Sequence, residues 1–129
     1  MINARENLLN ITNKLLTAGL NHGATGNCSC RDSGGFLITP TGVDSSKLTT
    51  DMMVRMNLSD NLSQPESKYQ PSSEWQFHQA ILEKYPEINA VVHTHSVFAS
   101  ALSVLGHDIP AFHYMIAVSY THLTLPTTP

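Results

Sequence analysis

Residues 91 to 96 read VVHTHS, and His93 and His95 stand two positions apart at the end of an apolar run. Side chains at i and i+2 of an extended strand share a face, so both imidazoles point the same way and Thr94 points opposite. Two such imidazoles can take two neighbouring positions on a tetrahedral ion. A catalytic zinc typically holds three protein ligands and keeps one position open. The plain alternative is a pair of polar residues at a strand exit, in a chain with seven histidines. A second cluster is Ser72, Ser73 and Glu74 in PSSEWQFH, where a loop enters a helix. Unpaired backbone N–H groups and the helix dipole attract an anion at such a point, two hydroxyls add donors, and Glu74 brings a carboxylate. The same residues would also serve as an ordinary cap with an acidic first turn. A third pair of segments, GNCSC and ITPTG, supplies Asn27, Thr41 and Gly42. Short polar side chains and glycine let backbone N–H groups approach a phosphate, and they equally build plain turns.

The cysteines offer less chemistry. Cys28 and Cys30 share one face of a strand, and a disulfide between them would be strained. They read as small buried strand residues, with a redox or metal role for C-S-C as the alternative. His78 lies one helical turn beyond Glu74, and i and i+4 share a face. His22 falls in a polar loop and reads as solvated.

The elements that must position these residues follow from periodicity and punctuation. Leu8, Leu9, Ile11, Leu15 and Leu16 recur at helical spacing and Gly19 stops the run, which predicts a helix over 3–18. Strands are expected at 28–31 and 36–39, turned by Ser33, Gly34 and Gly35 into a hairpin. A third strand is expected at 53–57. The spacing of Trp75, Phe77, Ala80, Ile81, Leu82 and Tyr85 predicts a helix with that apolar face, capped by Ser72 or Ser73 and ended by Pro86. A strand over 88–95, a helix over 96–105 and a strand over 113–118 complete the pattern. Helices and strands alternate around a hairpin, so the expected fold class is α/β: an αβα layering with a mixed, largely antiparallel central sheet.

With 129 residues the chain is one domain, 41% apolar and 13% charged, with a net charge of −3. Its basic residues form no run, which argues against nucleic acid. No apolar stretch reaches the roughly 20 residues a membrane helix needs, and the first residues lack the pattern of a signal peptide. A cytoplasmic location is expected. The last residues, SYTHLTLPTTP, are Thr- and Pro-rich and out of character. They suggest that 1–118 is an incomplete native domain and 119–129 a non-native tail, with the native protein continuing beyond Val118.

GNCSCR, GGFLITPTG, PSSEWQFHQAILEKYPEINAVVHTHS and IPAFHYMIAV, in that order, resemble the class II aldolase/adducin family across residues 5 to 118. The resemblance implies a zinc-dependent enzyme that cleaves a phosphorylated sugar such as L-fuculose 1-phosphate to dihydroxyacetone phosphate and an aldehyde. It implies an αβα fold and a cyclic homotetramer. Carried over by position, it makes Glu74, His93 and His95 zinc ligands, with Glu74 also the acid/base. Asn27, Thr41, Gly42, Ser72 and Ser73 become the phosphate site. Tyr114 becomes a proton donor reaching a neighbouring subunit's site. The family's third histidine ligand lies downstream and has no match in this chain, and none of the family's ligands falls at His78, which is left to packing. The same site serves 4-epimerases, dehydratases and decarboxylases of sugar phosphates, and an adducin-head-like module would keep the fold without the metal. Retention of Glu74, His93 and His95 argues against that module.

Overall fold

The computed structural model describes residues 3–59 and 67–108. Helix α1 spans Ala4–Thr17. Asn3 accepts the Glu6 N–H while the Glu6 carboxylate accepts the Asn3 N–H, a capping box that satisfies two orphan donors. At the other end Leu20 N–H bonds Leu15 O and Gly19 N–H bonds Leu16 O, with Gly19 at φ +68°. This is a Schellman stop, which requires the left-handed conformation that glycine adopts without strain.

Four strands follow: β1 (Asn27–Asp32), β2 (Gly35–Ile38), β3 (Val54–Asn57) and β4 (Ala90–His93). They form one sheet in the order β3-β2-β1-β4, and all three pairings are antiparallel. The expected hairpin is β1-β2, with Ser29 opposite Ile38. Helix α2 covers Trp75–Lys84 and α3 covers Val97–Val104. Two short 3-10 turns, Ser45–Lys47 and Thr50–Met52, lie between β2 and β3.

Alternation along the strands gives the sheet two apolar faces. Phe36, Ile38, Val54 and Met56 pack with Leu82 of α2, while Leu37, Cys28 and Met53 pack with Leu8 of α1. The αβα layering follows from that division. Cys28 is buried and Cys30 half-buried, both unpaired and toward the α1 side, as small strand residues. The chain divides into two compact units after Ser96, and α3 belongs to the second. No helix among the described residues is long and apolar enough to cross a membrane. The expected strand at 113–118 and the tail at 119–129 lie outside the described residues.

Three expectations need correcting. Helix α2 begins at Trp75, with Glu74 as its N-cap, so neither Ser72 nor Ser73 holds that position. Ser72 instead accepts the Glu74 N–H on its hydroxyl at 3.4 Å and the Trp75 N–H on its carbonyl at 3.1 Å, which closes a turn ahead of the helix. The buried face of α2 is also different. His78, Gln79 and Leu82 are buried, whereas Phe77, Ala80 and Tyr85 are exposed. Finally, β4 ends at His93 rather than at residue 95, because His95 N–H leaves the sheet for Leu20 O and Asn21 Oδ1, each at 3.0 Å.

Candidate functional site

The polar residues of β1 explain the polar face of α2. Asn27, Ser29 and Arg31 alternate with the cysteines and all engage α2 or the turn after it. Arg31 donates to the carbonyls of Leu82 and Tyr85 at the end of α2 and to Ile88 O beyond it. Ser29 Oγ lies 2.7 Å from His78 Nδ1, and His78 Nε2 meets Asn27 Oδ1. Asn27 Nδ2 then donates to Glu74 Oε2 at 2.6 Å. The ladder pairs Asn27 with His93, and His93 Nδ1 reaches the same Glu74 oxygen at 2.6 Å. His95 lies beyond the strand, yet its ring centroid is 4.8 Å from that of His93. The carboxylate and the two histidines expected to act together therefore meet at the N-terminus of α2 and the end of β4.

Electrostatics favour an ionised carboxylate. Burial pushes Glu74 up, but hydrogen bonds from Asn27 and His93 and the charges of His93 and His95 outweigh it, and its pKa falls below the ordinary value. Burial acts the other way on His78, whose pKa falls to about 4, helped by the nearby His93 and opposed by Glu74. The fully buried ring is neutral at neutral pH.

Two imidazoles and a carboxylate match zinc in donor chemistry. The three side chains form a row of contacts. As they stand, no three His, Cys, Asp or Glu side chains among the described residues are disposed to hold an ion. Asn27 and His93 both engage Glu74 Oε2, which leaves Oε1 outside those two bonds.

The segments expected to bind phosphate are also neighbours. Pro40 bridges Pro71, Ser72 N–H donates to Thr39 O at 3.0 Å, and Thr41 N–H donates to Gln70 O at 3.1 Å. Thr41, Gly42 and Ser73 are exposed beside one another's loops, and Ser72 is buried. Gly42 has φ +69°, a left-handed turn that favours glycine. Asn27 stands apart from this expectation in one respect. Its oxygen faces His78 and its nitrogen faces Glu74, which leaves at most one amide hydrogen for a ligand. Tyr114 lies outside the described residues. Sequence reasoning missed Ser29 and the polar role of His78; the i, i+4 spacing of Glu74 and His78 was the available signal.

Residues 6–129 match the model of the Class II Aldolase and Adducin N-terminal domain. A 5-methylthioribulose-1-phosphate/5-deoxyribulose-1-phosphate aldolase of Escherichia coli O45:K1 (strain S88 / ExPEC) is 45% identical over 120 residues, 93% of this chain and 55% of that protein. The L-fuculose phosphate aldolase of Escherichia coli (strain K12) is 48% identical over 101 residues, 78% of this chain and 46% of that protein. A solved structure of an L-fuculose 1-phosphate aldolase superposes with a TM-score of 0.77 at 33% identity, covering 88% of this chain and 54% of that one. The chain thus spans about half the length of the curated relatives it matches. With the matched domain running through every segment of the site just described, the chain belongs to the class II aldolase and adducin family.

Proposed function

We propose that the whole protein is a metal-dependent aldolase acting on a sugar 1-phosphate of the L-fuculose or 5-deoxyribulose kind. It would release dihydroxyacetone phosphate and an aldehyde. The observation that carries this reading is the meeting of Glu74 with His93 at 2.6 Å, beside His95. Relatives named for 5-methylthioribulose 1-phosphate, 5-deoxyribulose 1-phosphate and L-fuculose phosphate support the substrate class and leave the sugar open.

Glu74, His93 and His95 would hold the zinc. When bound, such an ion supplies Lewis-acid stabilisation to developing negative charge. The remaining work belongs to the chain's own residues. Glu74, ionised by its neighbours, takes or returns a proton at its carboxylate. Tyr114 would handle the proton of the hydroxyl that becomes the aldehyde carbonyl, taking it on cleavage and donating it to the aldehyde oxygen in the reverse condensation. Thr41, Gly42, Ser72 and Ser73, with the remaining Asn27 hydrogen, would grip the phosphate and so fix the reacting bond from a distance. The proposed assembly is a homotetramer in the cytoplasm.

His93→Ala and His95→Ala test the reading in the whole protein. Each should remove zinc, measured by elemental analysis, together with cleavage of L-fuculose 1-phosphate and 5-deoxyribulose 1-phosphate. Stoichiometric zinc in both variants would refute the ligand assignment. Zinc-free wild-type protein with no cleavage would favour the non-catalytic, adducin-head-like module.

A further inference from the structure

His78 lies inside the protein with 0% exposure, and both of its ring nitrogens are engaged. Filling volume alone does not require this, since an apolar side chain would do so without the cost of burying two polar atoms. The partners of the ring define a direction. An ionised Glu74 only accepts hydrogen bonds, so Asn27 must present its NH2 group to Oε2. The Asn27 oxygen then faces His78, and Nε2 must carry the ring hydrogen. Nδ1 is left as a lone pair, and the Ser29 hydroxyl must donate to it at 2.7 Å. Four side chains thus share one polarity, from Ser29 through His78 and Asn27 to Glu74. Ser29 and Asn27 are 1% and 6% exposed, so water offers little competition for these bonds. The path also crosses elements. Glu74 and His78 sit one turn apart at the start of α2 and clasp Asn27 of β1 between them.

We propose that His78 is a positioning residue: acting through Asn27, it fixes the direction in which the Glu74 carboxylate points. The inference rests on Glu74 being a ligand and proton carrier. A neutral ring suits the role, because its single N–H sets the Asn27 amide in one of its two orientations. Positioning partners one step behind a metal ligand typically alter affinity by about 10- to 100-fold when removed.

The test compares His78→Leu, which removes both hydrogen bonds at similar bulk, with His78→Gln, which can again donate to Asn27 and accept from Ser29. Cobalt(II) alone is titrated into the whole protein, reading affinity and the visible absorption spectrum. The Leu variant should bind cobalt about 10- to 100-fold more weakly with a changed spectrum, and Gln should recover affinity to within about threefold of wild type. kcat for sugar-phosphate cleavage should fall in His78→Leu and recover in His78→Gln. A folded Leu variant with wild-type affinity and spectrum would overturn the proposal, as would a Gln variant no better than Leu. If neither variant folds, the 15N pattern of the wild-type ring decides: an Nε2–H tautomer supports the inference and an Nδ1–H tautomer overturns it. A wild-type protein that takes no cobalt defeats the metal reading itself, and the ring's nitrogen pattern then judges the His78 polarity separately.

Discussion

At Glu74 burial and hydrogen bonding oppose each other, and hydrogen bonding wins. A carboxylate flanked by an amide donor and two imidazoles is ionised at neutral pH, as both a metal ligand and a general base require. At His78 nothing outweighs burial. Its folded pKa of about 4 lies below the 6.5 of a free histidine. Between those values the unfolded chain binds the proton and the folded one does not, so stability rises with pH across that window and falls on acidification. The shift corresponds to a loss on the order of 3 kcal/mol from pH 7 to pH 4. Urea unfolding at the two pH values should therefore show a smaller pH difference in His78→Gln than in wild type. An equal difference in both would mean that His78 does not set the slope. The Cys28 thiol, pushed up to about 11 by burial despite a hydrogen bond with Thr12, is expected to be inert toward alkylation at pH 8.

Strand β1 divides its side chains by parity, cysteines toward α1 and Asn27, Ser29 and Arg31 toward α2. Arg31 satisfies orphan carbonyls at the end of α2 with a planar fork of donors. Arg31→Lys keeps the charge but cannot reach several carbonyls at once. It should cost about 2 kcal/mol in urea unfolding, in line with hydrogen bonds from a charged donor. A change within error would show that the fork adds nothing. At the other end of α2, Ser73 is exposed next to the loop of Thr41 and Gly42. Ser73→Asp places negative charge where the proposed phosphate would sit. Sugar-phosphate affinity should drop by 10-fold or more, on the order of 1.4 kcal/mol, while zinc content stays constant. Unchanged affinity in calorimetric titration would limit the serines to closing the turn before α2.

Beyond its elements, the molecule offers β4 as an edge strand: its outer side has no partner among the described residues, and Val92 is 49% exposed. Unpaired strand edges are templates for association. The relatives matched are about twice as long as this chain. Expressed alone, the 129 residues are expected to self-associate through that edge, and Val92→Lys, which places a charge on the edge strand, should shift the distribution toward monomer in sedimentation. An unchanged distribution in the variant would show that the edge does not drive association.

Periodicity and punctuation in the sequence determined the elements. The leucines of α1 with Gly19, the Ser33–Gly35 turn of the β1-β2 hairpin, and the apolar Ala90 to Val92 run each specify local structure through neighbours a few residues away. The proposed site was legible as far as its members go: Glu74, His93 and His95 are residue types that metal and proton chemistry use, and the structure brings their side chains together. The buried face of α2 was not legible. His78 reads only as packing and Gln79 as solvent-facing, and their buried polar atoms are stable only because partners arrive from far along the chain. Asn27 and Ser29 lie 51 and 49 residues from His78, and Asn27 lies 47 from Glu74. A buried polar atom must find a hydrogen-bond partner, and which partner it finds is fixed only when strands and helices are packed. The end of β4 was decided in the same way, since His95 leaves the ladder for Leu20 and Asn21, 74 residues away in the latter case. Apolar pattern follows from chemistry that each residue carries with it, whereas a polar network exists only once the tertiary structure has brought its members within bonding distance.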